Sequence, residues 1–141
     1  MAGLYSEVAD RSLLLAGTLL HDFAKIEEFK TSSLGLVTDY SAKGQLLGHL
    51  VMGAQEVGRV AEALHTPEEK SVLLQHMILS HRGEPEFGAA VRPICAESEL
   101  LSFIDMIDSR MEIYRETFQE TPAGEFSKRI FALERRVYHH N

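Results

Sequence analysis

The sequence predicts an all-α domain, a helical bundle of about five helices, with a short hairpin near residues 27–40. Three observations carry this. Apolar residues recur at three- and four-residue steps, most clearly Leu46, Leu47, Leu50, Val51, Ala54, Val57, Val60, Ala61 and Leu64, which is the period of a buried helix face. Residues that start and stop helices punctuate these windows. The chain has 141 residues, 45% of them hydrophobic, with no internal repeat or linker, which makes one domain with a real core.

In chain order, residues 1–9 are short and mixed. Asp10 is placed to cap a helix running to about residue 24, because the apolar positions Leu13, Leu14, Leu15, Leu19 and Leu20 continue without proline. The stretch FKTSSLGLVTDY has no helical period, and a turn is expected around 33–35. Ser41 caps the next helix, which reaches residue 63 or 64. Gly48 and Gly53 lie inside it, each costing roughly 1 kcal/mol relative to Ala. They flank His49, where close approach by another backbone would account for them.

The TPEE stretch at 66–69 is a helix start: Thr at the cap, Pro first, Glu third. That helix runs through Val72, Leu73, Met77 and Ile78 to about His81, with Gly83 just past its end. Residues 84–93 form a loop. A long helix over 96–118 carries the stripe Leu100, Leu101, Ile104, Ile107 and Met111, and TPAG at 121–124 ends it. In the tail, Ile130, Leu133 and Val137 suit a further short helix.

The net charge of −7 argues against a broad phosphate-binding surface. It leaves a nucleic-acid substrate open, because bound divalent cations reverse a local field. One cysteine, Cys95, excludes an intramolecular disulfide and fits a reducing compartment. No segment is long and apolar enough to span a membrane, and no signal-peptide pattern is present. A cytoplasmic location with no membrane partner is the expectation.

The chemistry concentrates in LLLAGTLLHDFAKIEEF at 13–29. An apolar run ends in His21–Asp22, and Lys25 follows one turn later. A carboxylate in apolar surroundings needs a partner, and a divalent metal is one, since His nitrogen and Asp oxygen both ligate transition metals. The plainer alternative is a packed His21 beside a solvated Asp22–Lys25 pair. Four internal sites stand together: His21–Asp22, His49, His76 with His81, and Asp105 with Asp108. Asp105, Asp108 and Glu112 share one helix face. His76 and His81 are turned about 140° from each other, so they do not readily face one site. His81, beside a glycine-containing loop, is the preferred ligand, and His76 is a packed or supporting residue. His65 reads as exposed loop, and the terminal His139 and His140 carry little weight because termini are usually mobile.

At these residues a resemblance enters. LLAGTLLHDFAKIEEF, GQLLGHLVMG, LQHMILSHRGEPEFGA and LLSFIDMIDSRM resemble, in order, the motifs of the HD-domain metal-dependent phosphohydrolases. That family's pattern is H…HD…D, with extra histidines in two-metal members. The branch most similar is the HD half of the YhaM-type 3′→5′ exoribonucleases, over residues 4–138. The resemblance implies His21, Asp22, His49, His81 and Asp105 as metal ligands, with Asp22 bridging two ions. It implies Asp22 and Lys25 as the catalytic pair, with Lys25 facing substrate phosphate. Asp108, His76 and Arg82 would stand in supporting places. One or two divalent transition metals are implied, Mn first and Fe, Co, Ni or Zn after it. An RNA or nucleotide substrate is implied, and a homo-oligomer is left open.

Two departures stand out. No His precedes His21, so the chain is expected to begin after the helix bearing the family's first His, and to lack the OB-fold domain of that branch. Arg82 stands where related sequences often have a second His. The alternatives are therefore a nucleotide phosphohydrolase or a non-catalytic module that binds metal or nucleotide.

Overall fold

The computed structural model describes the backbone of residues 1–141 and the side chains of all but Thr31, Val37 and Thr38. It is all-α in character. Five helices carry it: α1 (Arg11–Leu20), the single turn α2 (Lys25–Glu28), α3 (Ala42–Ala63), α4 (Glu68–Ser80) and α5 (Ala96–Glu120). Two small antiparallel hairpins accompany them, β1 (Phe29–Thr31) with β2 (Val37–Tyr40), and β3 (Glu125–Phe126) with β4 (Tyr138–His139). The chain divides into two compact units, residues 1–103 and 104–141.

In the first unit α1 packs on α4, α4 on α3, and α3 on α2. Asp10 caps α1 as expected, accepting the Leu13 N–H at 3.0 Å. It also receives Lys70 Nζ of α4 at 3.0 Å, and its own N–H donates to Glu97 Oε1 of α5 at 2.7 Å. Three helix beginnings are thereby tied at one residue. Below them Leu13, Leu14, Met77 and Leu101 form a buried cluster edged by Leu73, Leu74 and Leu100. Each such side chain contributes about 1.5–3 kcal/mol on burial.

α1 ends at Leu20 rather than near residue 24. In a continued helix the Asp22 N–H would bond the Thr18 carbonyl. Here the His21 ring takes that carbonyl, Nδ1 lying 2.7 Å from Thr18 O. The chain then turns and re-forms one helical turn as α2. Ser41 caps α3 as expected, accepting the Gly44 N–H at 2.9 Å. The close backbone approach expected near Gly48 and Gly53 falls instead at Gly44, where an added Cβ would lie 2.2 Å from Glu28 O. Gly48 has a different reason to be glycine: φ +72°, ψ 159° kink α3 there, a conformation open in practice only to Gly.

The TPEE start is shifted by one residue. Pro67, not Thr66, occupies the cap position of α4, and no side chain caps it. The Thr66 N–H is used to close α3, bonding Ala61 O at 2.9 Å after His65 takes φ +55°. Gly83, at φ +80°, follows α4 as expected. The 27–40 hairpin forms, with Phe29 opposite Tyr40 and Gly35 turning at φ +82°.

The stripe on α5 is buried only at its start. Leu101 is 1% exposed, whereas Ile107 and Met111 are 51% and 45% exposed. In the second unit the tail expected to be helical is the β3–β4 hairpin, Glu125 opposite His139 and Phe126 opposite Tyr138. A 3₁₀ turn at Phe131–Leu133 and a left-handed Glu134 reverse the chain. His139 is tied down, its ring stacked 4.2 Å from that of Phe118 and its Nδ1 2.6 Å from Thr121 O. Among the described residues, no helix is long and apolar enough to cross a membrane.

Candidate metal centre

Two helix ends and one kink of the first unit build the group around Asp22. His21 and then Asp22 follow α1, His81 closes α4, and His49 follows the Gly48 kink of α3. Asp22 Oδ1 lies 3.2 Å from His49 Nε2 and 3.4 Å from His81 Nε2. Its Oδ2 lies 3.4 Å from His21 Nε2 and 3.0 Å from Lys25 Nζ. The His21 and His81 rings meet edge to face, centroids 4.8 Å apart.

The far side of each ring settles where its hydrogen sits. His21 Nδ1 is 2.7 Å from Thr18 O, and His81 Nδ1 is 2.7 Å from Ile78 O. A carbonyl only accepts, so both Nδ1 atoms donate, and in the neutral ring Nε2 keeps its lone pair. His49 Nδ1 lies 3.0 Å from the Glu28 carboxylate, an acceptor as well. Three imidazole lone pairs therefore converge on a carboxylate. Asp22 Oδ1 and His49 Nε2 are both buried and neither has a hydrogen-bond partner. Unmatched buried acceptors are costly, and a cation between them removes the cost. Two atoms that each sit ~2.1 Å from one ion at about 100° are roughly 3.2 Å apart, which matches the spacings around Oδ1.

Asp22, His49 and His81 are thus a candidate divalent-metal group, their ligand atoms all within 4.8 Å of one another. When the facing His49 and His81 rings are instead charged and donate, they and Lys25 hold the Asp22 carboxyl far below the usual carboxylate range against the opposing effect of burial.

Two other residues singled out from sequence, His76 and Arg82, fall elsewhere in the first unit. His76 turns away: its Nε2 accepts the Ile94 N–H at 3.1 Å and lies 3.2 Å from Ser98 Oγ. It is a packed histidine of the first unit. Arg82 is exposed, with its side chain over Gly88. Asp105 is half-buried and Asp108 exposed on the part of α5 that belongs to the second unit. Sequence patterning gave no cue for Glu28. In EEF it looks like one more surface acid, yet it is 7% exposed and holds His49.

A fold of this kind with an HD pair at its centre defines a class, and the pattern of the HD domain family matches residues 1–110. The chain belongs to the HD domain family. Its sequence is 39% identical over 137 residues to a protein named 3′-5′ exoribonuclease YhaM of Oceanobacillus iheyensis, covering 96% of this chain and 42% of that one. Proteins of the same name from Bacillus licheniformis and Bacillus subtilis are 37% and 38% identical over 139 residues, covering 99% of this chain and 43% of each relative. The chain therefore spans less than half the length of these relatives. No solved structure matches it.

Proposed function

We propose that this chain is the metal-dependent phosphohydrolase module of a 3′→5′ exoribonuclease. The observation that carries the reading is the pair of buried, unpartnered acceptors, Asp22 Oδ1 and His49 Nε2, facing each other at 3.2 Å. Asp22, His49 and His81 would hold the ion, with His21 beside them. The sequence pattern adds Asp105 as a further ligand. Mixed imidazole and carboxylate donors suit Mn, Fe, Co or Ni better than Mg, and the family resemblance puts Mn first. When bound, such an ion lowers the pKa of a water and polarises a phosphoryl oxygen.

The chain's own residues supply the rest. His49 and His81 present lone pairs in a fixed tautomer. Lys25 Nζ, with its side chain 39% exposed, stands 3.0 Å from Asp22 Oδ2. It is placed to neutralise charge that develops on a phosphoryl group. RNA as the substrate rests on the names of the relatives, and a cytoplasmic location on the lone Cys95. The net charge of −7 favours a second reading, hydrolysis of short oligonucleotides or nucleotides, because little of this surface attracts a long polyanion.

The test is metal content and hydrolysis on protein purified without chelators, with short RNA and mononucleotides offered in Mn. Asp22→Ala is expected to lose both bound metal and turnover. Mn-dependent hydrolysis retained in that variant sinks the site. Cleavage of mononucleotides but not RNA ends selects the second reading.

A further inference from the structure

Glu28 is the least expected residue near the site, a nearly buried carboxylate outside the candidate ligand group Asp22, His49 and His81. Both its oxygens are engaged by one residue. Oε1 accepts the His49 backbone N–H at 3.3 Å, and Oε2 lies 3.0 Å from His49 Nδ1. The backbone bond matters because Gly48 breaks the helical path immediately before His49. Glu28 itself is held firmly. Its carbonyl receives the Ser41 N–H at 2.8 Å, and α3 approaches it so closely that Gly44 has no room for a Cβ.

We infer that Glu28 is the positioning residue that makes His49 a metal ligand. The inference rests on the metal reading proposed above. His49 presents two donors to it, the backbone N–H and Nδ1–H, and only a carboxylate accepts both, being acceptor-only when ionised. Receiving Nδ1–H leaves the lone pair on Nε2, aimed at Asp22, and raises its basicity. A glutamine fails here for a definite reason. Its amide has one acceptor and one donor end. With the NH₂ toward the backbone, two donors collide. With the NH₂ toward Nδ1, the ring must carry its hydrogen on Nε2, where it blocks ligation.

The experiment uses the full chain and Co(II) as probe, followed by its visible absorption. Glu28→Gln is expected to bind Co(II) about 10- to 100-fold more weakly than the wild type. Equal affinity in the two proteins overturns the role of Glu28 while leaving the metal site standing. A wild type that takes up no Co(II) overturns both. A second readout needs neither metal nor variant. In the metal-free wild type, ¹⁵N shifts of the His49 ring should show hydrogen on Nδ1 and a lone pair on Nε2. The reverse tautomer overturns the inference even if Glu28→Gln does not fold. A purely structural Glu28 would lower thermal stability on substitution and leave Co(II) affinity unchanged.

Discussion

His76 and His81 lie five residues apart on α4, and their lone pairs go to opposite uses. His81 aims Nε2 at Asp22, while His76 spends Nε2 on the Ile94 N–H. Burial lowers the His76 pKa from its ordinary 6.5. The unfolded chain therefore takes up a proton before the folded one does. The stability contributed by keeping His76 neutral is full above about pH 6.5 and is lost as pH falls through the lower folded value. In urea titrations at pH 7.5 and 5.5, the wild type should lose more stability on acidification than His76→Gln, and an equal loss would refute this. For Lys25→Ala the expectation is metal content near that of the wild type with kcat down by about 10²-fold. Loss of the metal instead would make Lys25 structural. The five-residue spacing already told these two histidines apart. Glu28 was not legible, because its partner is 21 residues away and meets it only through a kink that periodicity does not reveal.

At the scale of elements, α1 and α4 end in the same way. Each is followed by a histidine whose Nδ1 bonds the carbonyl three residues back, and whose Nε2 is thereby turned to the site. Helix termination and ligand orientation are one event, so the terminal carbonyls that a helix leaves unmatched are put to use. This explains why an apolar count carried α1 to about residue 24. Hydrophobicity continues, but the hydrogen-bond ladder is intercepted at His21. Capping signals held at Asp10 and Ser41 and failed at Thr66, whose backbone N–H is spent closing α3. Gly48→Ala is expected to cost about 1–3 kcal/mol by chemical denaturation, and to weaken Co(II) binding as well. A stability change within error would show that the kink relaxes freely.

At the scale of the molecule, a site assembled from α1, α3 and α4 links metal binding to folding of the first unit. At a free Mn concentration 100 times Kd, stability should rise by about 2.7 kcal/mol, on the order of 10 °C in Tm. Chelator should reverse the rise, and Asp22→Ala should show none. An unchanged wild-type Tm under saturating Mn would mean that the ion does not bind here. The helical architecture was legible because each helix of the first unit hides one face against another. The second unit was not. Ile130, Leu133 and Val137 keep a helical spacing, yet Glu134 turns left-handed between them, and hairpin pairing replaces the helix. Ile107 and Met111 keep the period of a buried stripe while standing half exposed.

The kink at Gly48 also bears on mutational tolerance. Its φ of +72° belongs to the mirror-image half of backbone space, and glycine enters it freely because glycine has no handedness. Every missense change at that codon makes the residue chiral. Position 48 should therefore be among the least permissive in the chain, although its side chain is a single hydrogen that touches no ligand.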